Sequence, residues 1–292
     1  MILAIVGPTA VGKSDLAIAI AERLDAEIVS ADSMQVYIGM DIGTAKVPEA
    51  ERRGVPHHML DVWPVNHEVS VVEFRDRART CVEQIQARGR DAVIVGGSWL
   101  YVQAILDEME FPGTDPQVRG RLEEELVRLG PEAMHARLAE RDPRAAEAIL
   151  ATNGRRIVRA LEVVELTGSF QARLPEARPW VRATWVGVGC ERVTLDARIT
   201  ERVDRMWERG FVDEVVALRE RGLGRTARGA LGYRQILAAL EEGGDLEGAR
   251  RDTIDGTRRF ARRQERRFRQ DERITWVPAG PHAADTVLAL LR

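Results

Sequence analysis

The sequence predicts an α/β fold: a P-loop parallel sheet core flanked by helices, with an all-helical insertion domain. Three observations carry this. The apolar run Ile2-Leu3-Ala4-Ile5-Val6 feeds directly into Gly7-Pro8-Thr9-Ala10-Val11-Gly12-Lys13-Ser14, which fits Gly-x-x-x-x-Gly-Lys-Ser/Thr. That motif works only between a strand and a helix. Short β-branched runs then alternate with helical periodicity through the first third of the chain, the pattern of a parallel sheet covered by helices. Past Pro112-Gly113 the strand signal stops, and it returns only at Thr184-Trp185-Val186.

The elements follow in order. Leu16, Ile18, Ile20 and Leu24 continue the phosphate loop as an apolar helix. A second strand is expected at 27–30, a helix at 71–88, and a strand at 91–95 that ends in Gly96-Gly97. From 115 to about 173 the spacing is helical, with Leu122, Leu126 and Leu129 at i, i+4 and i+7. Pro131, Pro143 and Gly154 punctuate that stretch. A strand at 184–188 follows, then a helix from Asp196 with Ile199, Val203, Met206 and Trp207 on one face. The remainder reads as helical, with a last strand at 273–277. The expected organisation is a catalytic core of 1–112 and 182–292, and a helical insertion of 113–181 that closes through Pro175 to Pro179.

With 292 residues, 45% of them hydrophobic, the chain can bury a sizeable core. A net charge of −3 neither implies nor excludes a nucleic-acid partner. Cys81 and Cys190, far apart, give no disulfide framework and no zinc spacing. There is no cleavable signal pattern and no apolar run of membrane-spanning length. A soluble, cytoplasmic protein is expected, monomeric and without a membrane partner.

The phosphate loop is of the nucleotide-binding kind. Its glycines let successive N–H groups face one point, and the following helix adds its positive end there. Lys13 reaches terminal phosphate oxygens, and the Ser14 hydroxyl can ligate Mg²⁺. Only Lys13 and Lys46 are lysines among 43 basic residues, so a lysine in this loop answers a chemical need. The ligand carries a polyphosphate or a diphosphate. Asp32 follows the second strand, at the sheet edge where ligands bind. There it faces the bound phosphate compound as a magnesium ligand, or serves as a helix N-cap or turn aspartate. After 92–95, where a hydrolytic NTPase carries an acid for Mg²⁺, this chain has Gly96-Gly97-Ser98. No Asn-Lys-x-Asp motif is present. His57 and His58 lack a third ligand at metal spacing and read as packing or hydrogen-bonding residues.

Residues 250–269 hold nine arginines against three acidic residues. Arg258/Arg259, Arg262/Arg263 and Arg266/Arg267 recur every four residues, forming one ridge along a helix. Such a ridge suits a phosphate backbone. Arg155, Arg156 and Arg159 form a second basic group in the insertion, and two groups fit a folded RNA better than a small ligand.

Taken together, these strings resemble the tRNA dimethylallyltransferase (tRNA isopentenyltransferase) family. Besides the phosphate loop, the matching runs are Asp32-Ser33-Met34-Gln35-Val36-Tyr37, Gly39-Met40-Asp41-Ile42-Gly43-Thr44-Ala45-Lys46 and Pro56-His57-His58. Arg159-Ala160-Leu161-Glu162-Val163, Gly232-Tyr233-Arg234-Gln235 and Thr257-Arg258-Arg259-Phe260-Ala261-Arg262-Arg263-Gln264 complete the set. The resemblance implies transfer of a dimethylallyl group from dimethylallyl diphosphate to N6 of the adenosine immediately 3′ of the anticodon. It implies Asp32 as the base and Ser98 in the place of the family's threonine. Residues Gly7 to Ser14 and Arg202 would bind diphosphate. The implied tRNA contacts are Asp32, Ser33, Met34, Gln35, Ser98, Arg119, Arg156 and Arg159, to which the basic groups add Arg155, Arg259, Arg263 and Arg266. The chain departs from the family pattern at Ser98-Trp99, where Thr-Gly is usual, and at Leu150-Ala151-Thr152-Asn153, where His-Pro-Asn-Asp is usual. It departs again at Arg267-Phe268, where Trp-Phe is usual.

A nucleotide or small-metabolite kinase would share the phosphate loop but leave the ridge unexplained. An RNA-binding module would explain the arginines but leave Lys13-Ser14 unexplained.

Overall fold

A computed structural model describes residues 1–171 and 178–291. The segment at 172–177, which includes Pro175 of the expected insertion boundary, lies outside the described residues. The chain divides into two compact units, Met1–Asp107 with Pro179–Arg292, and Glu108–Arg178.

In the first unit five consecutive buried residues, Ile2–Val6 (β1), run through the middle of a sheet. Full burial on both faces is what a continuous apolar run without alternation demands. The other strands are Glu27–Ser30 (β2), His57–His58 (β3), Ala92–Gly96 (β4), Thr184–Gly189 (β5) and Ile274–Pro278 (β6). Their order is β3-β2-β4-β1-β5-β6, and every neighbouring pair is parallel. Val6 lies beside both Gly96 and Gly187, and Ser30 beside Val95. The carboxyl ends of the central strands therefore share one edge.

Helices cover both faces. Leu3, Ile5, Ile28, Val93 and Val186 pack with Leu16, Ala17 and Ile20 of Lys13–Leu24 (α1). On the opposite face Ala4, Val6, Val29 and Ile94 share a core with Phe74, Ala78, Val82 and Ile85 of Val71–Ala87 (α2), a helix capped by Ser70. Trp99–Leu106 (α3) joins that core through Val102 and Ile105.

The second unit holds Pro116–Arg141 (α4), Pro143–Glu147 (α5) and Gly154–Thr167 (α6) around its own core of Leu122, Met134, Leu138, Ile149, Ile157 and Leu161. Helix α4 breaks at Gly130 (φ 81°) before Pro131. The break ends the leucine stripe early: Leu122 is buried, whereas Leu129 is 46% exposed. The unit takes in Pro112 and Gly113, whose carbonyls accept from Arg159 of α6.

Back in the first unit, Arg192–Glu208 (α7) starts four residues before Asp196 and buries Leu195, Ile199 and Val203. Phe211–Glu220 (α8), Arg225–Arg228 (α9), Tyr233–Glu242 (α10), Leu246–Phe268 (α11) and Ala283–Leu290 (α12) follow. Among the described residues no helix is long and apolar enough to cross a membrane.

Candidate active site

Two glycines shape the phosphate loop, one by a close approach and one by its backbone conformation. Gly7 (φ 143°) has no room for a side chain, because a Cβ there would lie 2.5 Å from the Val188 carbonyl oxygen of β5. Gly12 (φ 101°) stands at the N-cap of α1 and offers no side chain to its first-turn amides. Those N–H groups have no intrahelical acceptor, so the turn is open to an anion. Lys13 Nζ donates to the Pro8 carbonyl at 2.7 Å, folding its charge back across the loop.

Three other segments close on this loop. From α7, Arg202 donates to Thr9 Oγ1 (3.3 Å) and Arg198 to the Val11 carbonyl (3.2 Å). From the end of β2, Asp32 exerts its charge on both Lys13 and Arg202. From α11, Gln264 accepts from the Thr9 amide (2.9 Å) and donates to the Gly97 carbonyl (2.8 Å). One buried side-chain amide thus ties the phosphate loop to the double-glycine turn after β4.

The electrostatics follow from this crowding. Burial, and then the neighbouring Arg202 charge, push the Lys13 ammonium down to about 7 against the pull of Asp32. Burial also lowers the Arg202 pKa, again opposed by Asp32. Lys13 and Arg202 are thus basic groups buried together at the loop, a setting that favours a bound anion.

Asp32 has the geometry of a turn aspartate: Oδ1 accepts from the Met34 amide at 2.9 Å. Ser98 stands at the N-cap of α3, and its hydroxyl caps no amide of that helix. Ser33 and Met34 are half-buried beside Asp32. Gln35 is turned inward instead. Its oxygen accepts from Ser30 Oγ (2.9 Å) and its amide donates to the Thr44 carbonyl (3.1 Å).

The donor set for magnesium is sparse. No group of three or more His, Cys, Asp or Glu side chains among the described residues could hold a metal. The Ser14 hydroxyl at the first turn of α1 does fit Mg²⁺, which takes few protein ligands when phosphate oxygens complete its shell.

The arginines divide by environment. On α11, Arg259, Arg263 and Arg266 are exposed. Arg258 is not part of that open ridge: it donates to Thr200 Oγ1 of α7 (2.9 Å). In the helical unit Arg155 and Arg156 are exposed, while Arg119 and Arg159 both bind the fully buried Glu162 carboxylate. Burial would raise the Glu162 pKa, but hydrogen bonds from Arg119, Thr114 and Arg159 together hold it at about 2.

His58 Nε2 lies 2.6 Å from buried Glu27, which also receives Arg88. His57 Nδ1 bonds the Val55 carbonyl, and burial lowers its pKa. Both serve packing and hydrogen bonding.

Gln264, Arg198 and Glu214 (from α8) were not singled out by the sequence. Gln264 closes the matched string at 257–264, but the arginines around it carry the stronger compositional signal.

A family model described as "IPP transferase" matches residues 35–271. The chain is 60% identical over 278 residues to a tRNA dimethylallyltransferase of Frankia casuarinae, covering 94% of this chain and 95% of the relative. It is 56% identical over 292 residues to one of Acidothermus cellulolyticus, covering 99% and 92%. Among solved structures, the full-length tRNA isopentenylpyrophosphate transferase of Bacillus halodurans superposes with a TM-score of 0.73 at 38% identity, covering 99% of this chain and 93% of that one. A eukaryotic dimethylallyltransferase acting on tRNA gives 0.78 at 25% identity, covering 99% and 77%.

Proposed function

The chain belongs to the IPP transferase family, and on that footing we propose that it transfers a dimethylallyl group from dimethylallyl diphosphate to N6 of the adenosine immediately 3′ of the anticodon in tRNA. The observation that carries the reading is the mutual influence of Lys13, Arg202 and Asp32, which come from three separate segments. Two cations await a diphosphate, and one carboxylate lies beside them to receive a proton.

In the reaction the allylic C–O bond breaks and its electron pair leaves with the diphosphate. Lys13, Arg202 and the first-turn amides of α1 meet the charge that develops there. The Ser14 hydroxyl would hold Mg²⁺, which would supply charge neutralisation to the leaving group. The N6–C bond forms as one N6 proton passes to Asp32. The adenine leaves its stack to reach this edge of the sheet, where Ser33, Met34 and the Ser98 hydroxyl line the acceptor side. We assign the tRNA backbone to Arg259, Arg263 and Arg266 of α11 and to Arg155 and Arg156 of the helical unit. Arg119 and Arg159 primarily hold Glu162, and Gln35 primarily holds its own loop. With tRNA as acceptor, the enzyme works in the cytoplasm, and we read it as a monomer.

Radiolabelled dimethylallyl diphosphate and ATP, each supplied with and without tRNA, test the reading. Label from the diphosphate should enter tRNA, and ATP should compete only weakly. Phosphoryl transfer or tRNA-stimulated ATP hydrolysis without prenylation would support the kinase reading instead.

A further inference from the structure

The loop after β2 runs from Asp32 through Lys46 with little regular structure, yet it is held by one distant carboxylate. Glu214 Oε2 accepts from the amides of Asp41 (3.0 Å) and Ile42 (2.6 Å), and its Oε1 accepts from Gly43 (3.1 Å) and from the Tyr233 hydroxyl (2.5 Å). Three successive backbone N–H groups make a nest suited to an anion. Here a side chain from α8 fills it. Gly43 is pressed into place, since a Cβ would lie 2.1 Å from the Phe211 ring and 2.5 Å from that of Tyr233. From the nest, Thr44 passes the hold to Gln35, and Gln35 to Ser30 at the end of β2. Lys46 fastens the far end by ion pairs to Asp41 (2.5 Å) and Asp61 (2.6 Å). Asp32, Ser33 and Met34 occupy the stretch between Ser30 and Gln35.

We propose that Glu214, oriented by Tyr233, is a positioning residue that sets the acceptor-side loop, so that Asp32 and its neighbours meet the incoming adenine in one fixed geometry. This rests on the prenyl-transfer reading. The diphosphate site, built from the phosphate loop, α7 and Gln264, shares none of these bonds and meets the clamped loop only through the charge of Asp32. The effect of Glu214 therefore falls chiefly on the acceptor.

The test uses the full chain with Glu214→Ala, Glu214→Gln and Tyr233→Phe. In Glu214→Ala, kcat/KM for tRNA should fall about 10²-fold, as small misplacements near reacting atoms do. Pyrophosphate affinity should stay within twofold, and amide exchange should quicken at 41–46. Glu214→Gln keeps one acceptor oxygen and should recover part of the loss, while Tyr233→Phe should cost only severalfold. An unchanged kcat/KM, or an equal loss of pyrophosphate binding, would overturn the proposal. The functional reading is judged separately, by whether the wild-type chain prenylates tRNA at all. If it does not, unchanged exchange at 41–46 in Glu214→Ala still refutes the clamp, and faster exchange there together with weakened tRNA binding supports it.

Discussion

The guanidinium of Arg267 lies over the indole ring of Trp99, 3.8 Å from its centroid. These are two of the places where the chain departs from the pattern it otherwise follows. Trp99 begins α3 and Arg267 lies in the last turn of α11, so the two departures touch and should be coupled energetically. A double-mutant cycle with Trp99→Leu and Arg267→Gln in denaturant unfolding should give a coupling of about 0.5–1 kcal/mol, the range for a cation over an aromatic face near the surface. Additive effects would show that the stack contributes nothing.

Asp32 should be required for chemistry and not for binding. Asp32→Ala should lower the rate of prenyl transfer by about 10²–10⁴, the usual loss when a general base is removed. Affinity for tRNA should stay within about tenfold. Near-normal turnover by the variant would remove Asp32 from the mechanism.

Lys13 should make diphosphate binding pH-dependent. Its pKa of about 7 in the free protein rises when an anion arrives, so above pH 7 binding takes up a proton and weakens as pH rises. Calorimetry in buffers of different ionisation enthalpy should detect that uptake with pyrophosphate. The ligand's own titration is common to wild type and Lys13→Met, so the difference between them isolates Lys13. The same depressed pKa implies that stability gains with pH between about 7 and the ordinary lysine value, where the unfolded chain binds the extra proton.

The exposed arginines of α11 should carry salt-dependent affinity. Changing Arg259, Arg263 and Arg266 to Gln should flatten the dependence of tRNA binding on salt by somewhat under one logarithmic unit for each phosphate no longer neutralised. Pyrophosphate binding should be unaffected. An unchanged slope would leave RNA binding to Arg155 and Arg156.

Glu162 should govern the acid stability of the helical unit. Its pKa is held at about 2, so its contribution is complete above the ordinary carboxylate value and is lost as pH falls toward 2. Glu162→Gln should destabilise that unit by about 3 kcal/mol at neutral pH. That is the low end for breaking a buried pair, because Arg119 and Arg159 keep partial access to water. Circular dichroism during acid titration would show the wild-type transition absent from the variant.

What could be read in the sequence was whatever is local. The phosphate loop, the strands around it and Asp32 lie within about thirty residues of one another, and their meaning depends on neighbours in the chain. Glu214 and Gln264 could not be assigned this way. Glu214 bonds amides more than 170 residues away, and Gln264 bonds Thr9 across 255 residues. Neither has a periodicity or composition that marks a partner. Arg119 and Arg159 have an internal use that the sequence does not display: as charges they look available, and the buried Glu162 beneath them becomes evident only in the fold.

Helix α11 grips Thr9 and Gly97 through Gln264 and carries Arg259, Arg263 and Arg266 on its exposed surface. A single helix advances about 100° per residue, so inserting or deleting one residue between Arg259 and Gln264 would swing the earlier arginine a quarter-turn or more away from the later ones. The spacing of this segment is therefore fixed from both sides. Individual arginines can be exchanged one at a time, but the count of residues between them and the glutamine cannot drift.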